Sequence, residues 1–278
     1  MFAVRLPDDA GDVAFRAAAR RCIALGLPPA QIAFLGADEP SLWPPLPEPS
    51  GAPAPIAAPR AYGALLRDAL IHSAPDRHAL AYEVLWRILA GERGLVSRAV
   101  DPTVARLNDY ARNVRRDIHK MHAFVRFRAC MVGERTIFTA WFEPQHHILQ
   151  RVSTFFVDRF AGMDWLIATP RGTLSWIDRA LAFGPPPAVK PDAADDAVLD
   201  ELWLTYFRTT FNPARLRVKA MVNEMPRRYW KNLPEAALIP ALTTGAAPRV
   251  AAMAAAPDDE VPAFAARIAA RRKKDSTP

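Results

Sequence analysis

The chain has 278 residues, 51% of them apolar and 23% charged, with a formal net charge of +7. That composition supports a sizeable buried core and excludes a disordered tail, and no apolar run approaches the roughly 18 residues of a membrane-spanning helix. Acidic Asp8 and Asp9 stand where a secretory leader needs bases and a long apolar stretch, so a cytoplasmic protein without membrane contact is expected.

Residues 1–39 read as strand, helix, strand. Phe2 to Leu6 and Gln31 to Leu35 are short apolar runs, and Val13 to Leu25 has helical spacing that stops at Gly26. Residues 40–59 carry eight prolines, which forbid regular structure and predict a linker or an extended surface segment. Helices are predicted over Tyr62 to Ile71 and Asp76 to Ala90. Asp101-Pro102 is a helix start, a capping acid followed by a proline in the first turn. The stripe Val104, Leu107, Ala111, Val114 and Ile118 marks one buried face of that helix, and Arg112, Arg115, Arg116 and Lys120 fall off it.

From His122 the apolar period changes to two, predicting a strand over His122 to Ala129 and a return strand over Thr136 to Phe142. Ile148 to Phe160 reads as a helix, and Trp165 to Thr169 and Leu174 to Phe183 as two further strands. The expected fold is α+β: a mostly antiparallel sheet in the order strand-strand-helix-strand-strand, packed with several helices over a main domain of residues 60–245. Helices are also expected around Leu199 to Phe211 and Leu216 to Asn223. Residues 246–278 form an alanine-rich stretch and then a basic tail, read as flexible.

Charge is segregated along the chain. The segments Arg112–Arg135, Arg208–Lys231 and Arg267–Lys274 carry net charges of +5, +6 and +5, which leaves −9 for the remainder. A GC-rich genome accounts for many arginines but not for their clustering. Clustered base is the footprint of a polyanion partner.

Three constellations carry chemistry. Phe211-Asn212-Pro213-Ala214-Arg215 and Met225-Pro226-Arg227-Arg228-Tyr229-Trp230-Lys231 combine phosphate-neutralising bases with aromatic planes on which bases stack. Rings of this size are more often core, so phosphate contact falls first to Arg227, Arg228 and Lys231. Trp141-Phe142-Glu143-Pro144-Gln145-His146-His147, with His122 on the strand expected beside it, offers acid/base groups; its spacing matches no zinc motif, and no metal or cofactor is expected. Thr169-Pro170-Arg171-Gly172-Thr173 is a turn whose amides, hydroxyls and arginine suit an anion as well as an ordinary hairpin. Cys22 and Cys130 are too few and too far apart for a cluster or zinc clip and read as core residues. The sequence has no GxGxxG or GxxxxGK[ST] loop, no HExxH, no nucleophile elbow and no zinc-deaminase signature.

Several of these runs resemble a bacterial family described as DNA repair or DNA metabolism proteins with a domain of unknown function. They are Arg116-Asp117-Ile118-His119-Lys120-Met121-His122 through Arg128, Trp141 through Ile148, Phe155-Phe156-Val157-Asp158-Arg159-Phe160, Phe211 through Arg215 and Met225 through Ala236. The resemblance reaches to about Thr243. It implies relatives that stand alone, beside a radical-SAM DNA repair protein, or fused to a uracil-DNA-glycosylase-like domain that binds uracil-DNA. This chain has neither a glycosylase GxxPG loop nor a His-Pro-Ser, and no CxxxCxxC, so those chemistries are expected in a partner protein. The resemblance carries over no catalytic residues.

Three readings of function follow. The first is a DNA-binding accessory factor that holds single-stranded or damaged duplex DNA through Arg116, Lys120, Arg126, Arg128, Asn212, Arg215, Arg227, Arg228, Tyr229, Trp230 and Lys231. The second is an enzyme acting on nucleic acid or a nucleotide, with His122, Glu143, His146 and His147 as acid/base groups. A protein-docking module with a basic surface is a third.

Overall fold

A computed structural model of the chain describes residues 1–49, 51, 54–187, 218–230 and 232–255. The chain divides into two compact units, residues 1–196 and 197–278.

The first unit begins with a parallel pair, β1 (Phe2–Arg5) and β2 (Ile32–Leu35), joined through α1 (Asp12–Ala24). Parallel neighbours need a crossover, and α1 supplies it. Gly26, at φ +65°, closes α1 as its spacing predicts, and the Leu27 N–H reaches back to the Cys22 carbonyl at 3.1 Å. The proline-rich segment runs extended beside β1: the Ala3 N–H donates to the Pro44 carbonyl at 2.8 Å, and the Leu46 N–H to the Ala3 carbonyl at 3.1 Å.

Three helices follow, α2 (Arg60–Ala69), α3 (Arg77–Leu89) and α4 (Pro102–Phe124). Asp101 caps α4 by accepting the N–H groups of Thr103 and Val104, both at 3.1 Å. Leu66, Tyr82, Val84, Leu107 and Ala111 share one core with Phe15 and Cys22 of α1, all fully buried.

The strand predicted over His122 to Ala129 is corrected. α4 continues to Phe124, where Arg126 Nη1 donates to the Ala123 carbonyl at 2.8 Å, and β3 (Arg128–Val132) begins only afterwards. The alternation imitates a strand, but the His122 ring lies flat on Phe155 of α5 (Leu149–Arg159), 3.8 Å between centroids. Packing against a neighbouring helix overrides the local period.

The sheet is mixed, with five strands in the order β3-β4-β5-β6-β7: β4 (Arg135–Trp141), β5 (Trp165–Thr169), β6 (Gly172–Ile177) and β7 (Ala180–Gly184) complete it. The expectation of α+β holds. The ladder is antiparallel except between β4 and β5, because α5 carries the chain back to its starting edge and the next strand runs parallel. The single strand expected over Leu174 to Phe183 is two strands. Asp178 and Arg179 take φ of +52° and +60°, the left-handed pair of a two-residue hairpin turn, held by Arg135 across to Asp178 and Asp164. α5 covers the sheet, and Phe156, Trp165, Ile167 and Leu174 are buried beneath it.

The second unit contains α6 (Val218–Glu224), α7 (Arg227–Trp230), a 3₁₀ turn (Pro234–Leu238), α8 (Ile239–Thr244) and α9 (Ala246–Ala255). Tyr229, Leu233, Ile239 and Leu242 are buried. The helix expected around Leu199 to Phe211, together with Asn212, Arg215, Lys231 and the basic tail, lies outside the described residues. Among the described residues no helix is long and apolar enough to cross a membrane.

Candidate functional site

Two loops far apart in sequence meet in the first unit, residues 70–76 before α3 and residues 142–148 between β4 and α5. Asp117 joins them to α4. Its carboxylate, in a side chain 2% exposed, accepts the backbone N–H groups of Gln145 at 2.8 Å and His146 at 3.0 Å. The His147 N–H donates to the Ile71 carbonyl at 2.9 Å. The Ser73 N–H donates to His146 Nδ1 at 3.2 Å, and the Ala74 N–H to His72 Nδ1 at 3.0 Å. Both imidazoles thus accept at Nδ1, and their neutral tautomers carry the proton on Nε2.

The rings form a stack, His146 on His72 at 4.1 Å and His72 on Tyr110 of α4 at 4.0 Å. The Tyr110 hydroxyl donates to Asp76 at 2.7 Å and accepts from Arg106 Nε at 2.9 Å. Burial holds His72 below the usual imidazole range, with Arg77 acting in the same direction.

His147 has a different setting. Arg171 Nη1 lies 3.2 Å from His147 Nε2. A guanidinium only donates, so Nε2 is the accepting nitrogen and Nδ1 carries the proton. Burial, then Arg171 and Arg77, pull its pKa down to about 4. The turn predicted over Thr169 to Thr173 presents Arg171: buried Thr169 donates through Oγ1 to the Gly172 carbonyl at 2.8 Å and accepts the Arg171 N–H at 3.1 Å.

The His147–Arg171 pair separates two cavities. One, of about 210 Å³, opens at the carboxyl ends of the parallel strands β1 and β2, where ligands commonly settle in parallel sheets, and Asp8, Glu39, Ser73 and His78 line it. Arg77, 6% exposed, ties its walls together by donating to the carbonyls of Leu70, Ala74 and Asp8 at 2.9, 2.9 and 2.7 Å. The other, of about 340 Å³, is lined by Arg67, Arg151, Thr173 and Phe183. Among the described residues no cluster of three or more His, Cys, Asp or Glu side chains is arranged to hold a metal ion.

Of the four acid/base candidates, His147 is the one that lines these two cavities, together with its cationic partner Arg171. His146 is buried in the stack. Glu143 accepts from Trp141 Nε1 at 2.9 Å. His122 stands on the last turn of α4 rather than on a strand, and its buried Nε2 has no hydrogen-bond partner among the described residues. Burial lowers its pKa, with His119 acting in the same direction.

The cationic candidates of the first unit lie on α4, just past its end and on β3. Arg116 is exposed on α4, with Lys120 half-buried one turn on. Arg126 folds back on the end of α4, and Arg128 opens β3. In the second unit Arg227 lies over the Trp230 ring at 5.7 Å and Arg228 over Tyr229 at 4.7 Å; Tyr229 is buried and Trp230 donates to the Met225 carbonyl at 2.9 Å. His72, Asp76, Asp117, Arg77 and His78 were not singled out from sequence. The signal the sequence offers is the run His72-Ser73-Ala74-Pro75-Asp76-Arg77-His78, which places four ionisable side chains within seven residues.

A family model described as a domain of unknown function, DUF4130, matches residues 75–235. No curated protein and no solved structure matches the chain.

Proposed function

The chain belongs to the DUF4130 family, a domain of unknown function, and from its surface charge we propose that it binds DNA as an accessory factor in DNA repair or metabolism. One observation carries this reading. Between Asp109 and Glu134 the only acid is Asp117, and it is buried against the backbone of residues 145 and 146. The surface of that stretch therefore carries base alone. Arg112, Arg115 and Arg116 are all exposed on α4; Arg112 pairs with Asp109 at 2.9 Å and Arg115 with Asp68 at 3.3 Å, while Arg116 has no ion pair among the described residues. From Arg112 to Phe124 this face extends about 18 Å at 1.5 Å per residue, enough to follow a sugar-phosphate strand.

Arg227 and Arg228 of the second unit add exposed guanidiniums next to aromatic rings, and Asn212, Arg215 and Lys231 join them in this reading. The resemblance of the sequence implies a radical-SAM or uracil-DNA-glycosylase-like protein as the catalytic partner. Fluorescence anisotropy of single-stranded, duplex and uracil-containing oligonucleotides at low salt tests the proposal. Binding of at least one of them is expected, and absence of binding to all three overturns it.

A second reading, an enzyme acting on nucleic acid or a nucleotide, is favoured by one feature, the His147–Arg171 pair between the two cavities. His147 is then the acid/base group, with His122, Glu143 and His146 in supporting positions. A turnover lost in His147→Ala while DNA affinity persists selects this reading; a turnover indifferent to His147 removes it.

A further inference from the structure

We propose that the cavity of about 340 Å³ beside His147 is a mononucleotide pocket, taking one nucleoside 5′-phosphate with its phosphate on Arg67, Arg151 and Arg171 and its base against Phe183. The proposal deepens the nucleic-acid reading, and the choice of a nucleotide as ligand rests on it.

The charge of the pocket calls for an anion. Arg67 is exposed and has no ion pair among the described residues. Among the described residues Arg171 donates only to neutral acceptors, the Pro144 carbonyl at 3.3 Å and His147 Nε2 at 3.2 Å. Arg151 shares the single carboxylate of Asp68 with Arg115, each at 3.3 Å, so two guanidiniums face one acid. Of the acids lining the cavity, Asp12 is paired with Arg16 at 3.0 Å, which leaves Asp9 beside Arg67 and Arg171 and the Arg151 that shares Asp68. Planar guanidiniums gathered without matching carboxylates are the arrangement that recognises phosphate.

Shape then selects the rest of the ligand. The volume falls within the roughly 300–1,000 Å³ typical of small-molecule sites, so inorganic phosphate would leave most of it empty. Phe183 of β7 is 50% exposed, an unusual state for a phenylalanine ring, and it lines the cavity together with Ile71 and Leu149. A ring presented this way suits stacking by a base. Two glycines of the lining have no room for a side chain. A Cβ on Gly172, which has φ +141°, would meet the Gly184 carbonyl at 3.0 Å and Leu149 at 3.2 Å, and one on Gly184 would lie 2.5 Å from Thr173 Oγ1. The polar edge of a base finds the hydroxyl of Thr173 and the amide of Gln150 along the same wall.

The nucleotide has two sources, a free deoxynucleotide or the 5′-phosphorylated end of a strand. Calorimetry of the whole protein with dTMP, thymidine and inorganic phosphate is paired with anisotropy of a dT ten-mer carrying a 5′-phosphate or a 5′-hydroxyl. We expect dTMP to bind at least tenfold more tightly than thymidine or phosphate. Arg67→Ala and Phe183→Ala, both at exposed positions, each weaken it severalfold or more, while Arg112→Glu/Arg116→Glu leaves it unchanged. A several-fold preference for the 5′-phosphorylated ten-mer, lost in Arg67→Ala, assigns the strand end; dTMP binding without that preference assigns the free nucleotide. If neither dTMP binding nor a 5′-phosphate preference is seen, the pocket is overturned, and ten-mer binding that still fails in Arg112→Glu/Arg116→Glu keeps the wider DNA reading. Retained dTMP binding with no affinity for any oligonucleotide overturns the DNA reading instead.

Discussion

The carboxylate of Asp117, inside α4, accepts the backbone N–H of His146 at 3.0 Å, across 28 intervening residues. That bond places the loop before α5 against α4 and so fixes where His147 stands. It also withdraws the one acid from an otherwise basic surface. Asp117→Ala leaves the buried His146 N–H and the N–H of exposed Gln145 without this acceptor and is expected to cost about 1–3 kcal/mol. Asp117→Asn keeps one acceptor oxygen and should cost less. Urea denaturation measures both, and an Ala variant within about 0.5 kcal/mol of the parent would contradict the role given to this carboxylate.

Acid should unfold this protein in a defined window. Burial and Arg77 hold His78 down to about 4, and burial with Arg171 holds His147 down to about 4, both from an ordinary 6.5. Both rings are neutral in the fold, so as pH falls below 6.5 the unfolded chain takes up protons first. Stability is complete above that pH and declines until about pH 4. For His78, 5% exposed and with its Nε2 3.4 Å from the Ala10 carbonyl, the full loss is on the order of 3 kcal/mol. Melting temperatures from pH 8 to pH 4 should fall through this window, and His147→Gln should flatten part of the fall. A melting temperature constant across it would show that these rings are not held neutral.

The His122 ring packs against two phenylalanines of α5. It is stacked on Phe155 and stands edge-on to Phe156 at 5.9 Å, with a buried nitrogen that has no partner among the described residues. Replacing a buried unsatisfied group with an apolar one of similar size is neutral to stabilising, so His122→Leu should change stability by between zero and about +1 kcal/mol. Oligonucleotide affinity should not change. A loss of DNA binding in a folded His122→Leu protein would return this residue to the functional site.

Much of the helical framework was legible because its signals are local. Asp101 and Pro102 start α4 through bonds made within one turn, and Val104, Leu107, Ala111 and Val114, all fully buried, trace its inner face. The end of α4 was not, since the alternation from His122 to Ala129 fits a strand equally well until Phe155 is known to lie alongside. The turn at Asp178 and Arg179 was hidden for a similar reason: neither residue is glycine, and its left-handed geometry is stabilised by Arg135 and Asp164, remote in sequence.

The site was legible in its parts but not in its grouping. His146, His147 and the Arg171 turn stand out by composition. That His147 pairs with Arg171, whereas His146 stacks on His72, follows only from the meeting of residues 70–76 with residues 142–148. Composition also counted Asp117 against the basic segment, and only its burial removes it from the surface.

The most direct test of the account is the salt dependence of oligonucleotide affinity in the parent protein and in Arg112→Glu/Arg116→Glu. Counterion release predicts a linear fall of log affinity with log salt, with a slope of about −0.7 per single-strand phosphate neutralised. The account predicts a steep slope for the parent and, in the double variant, weaker binding with a slope shallower by at least one such contact. An affinity indifferent to salt, or a variant that matches the parent in both affinity and slope, would contradict it.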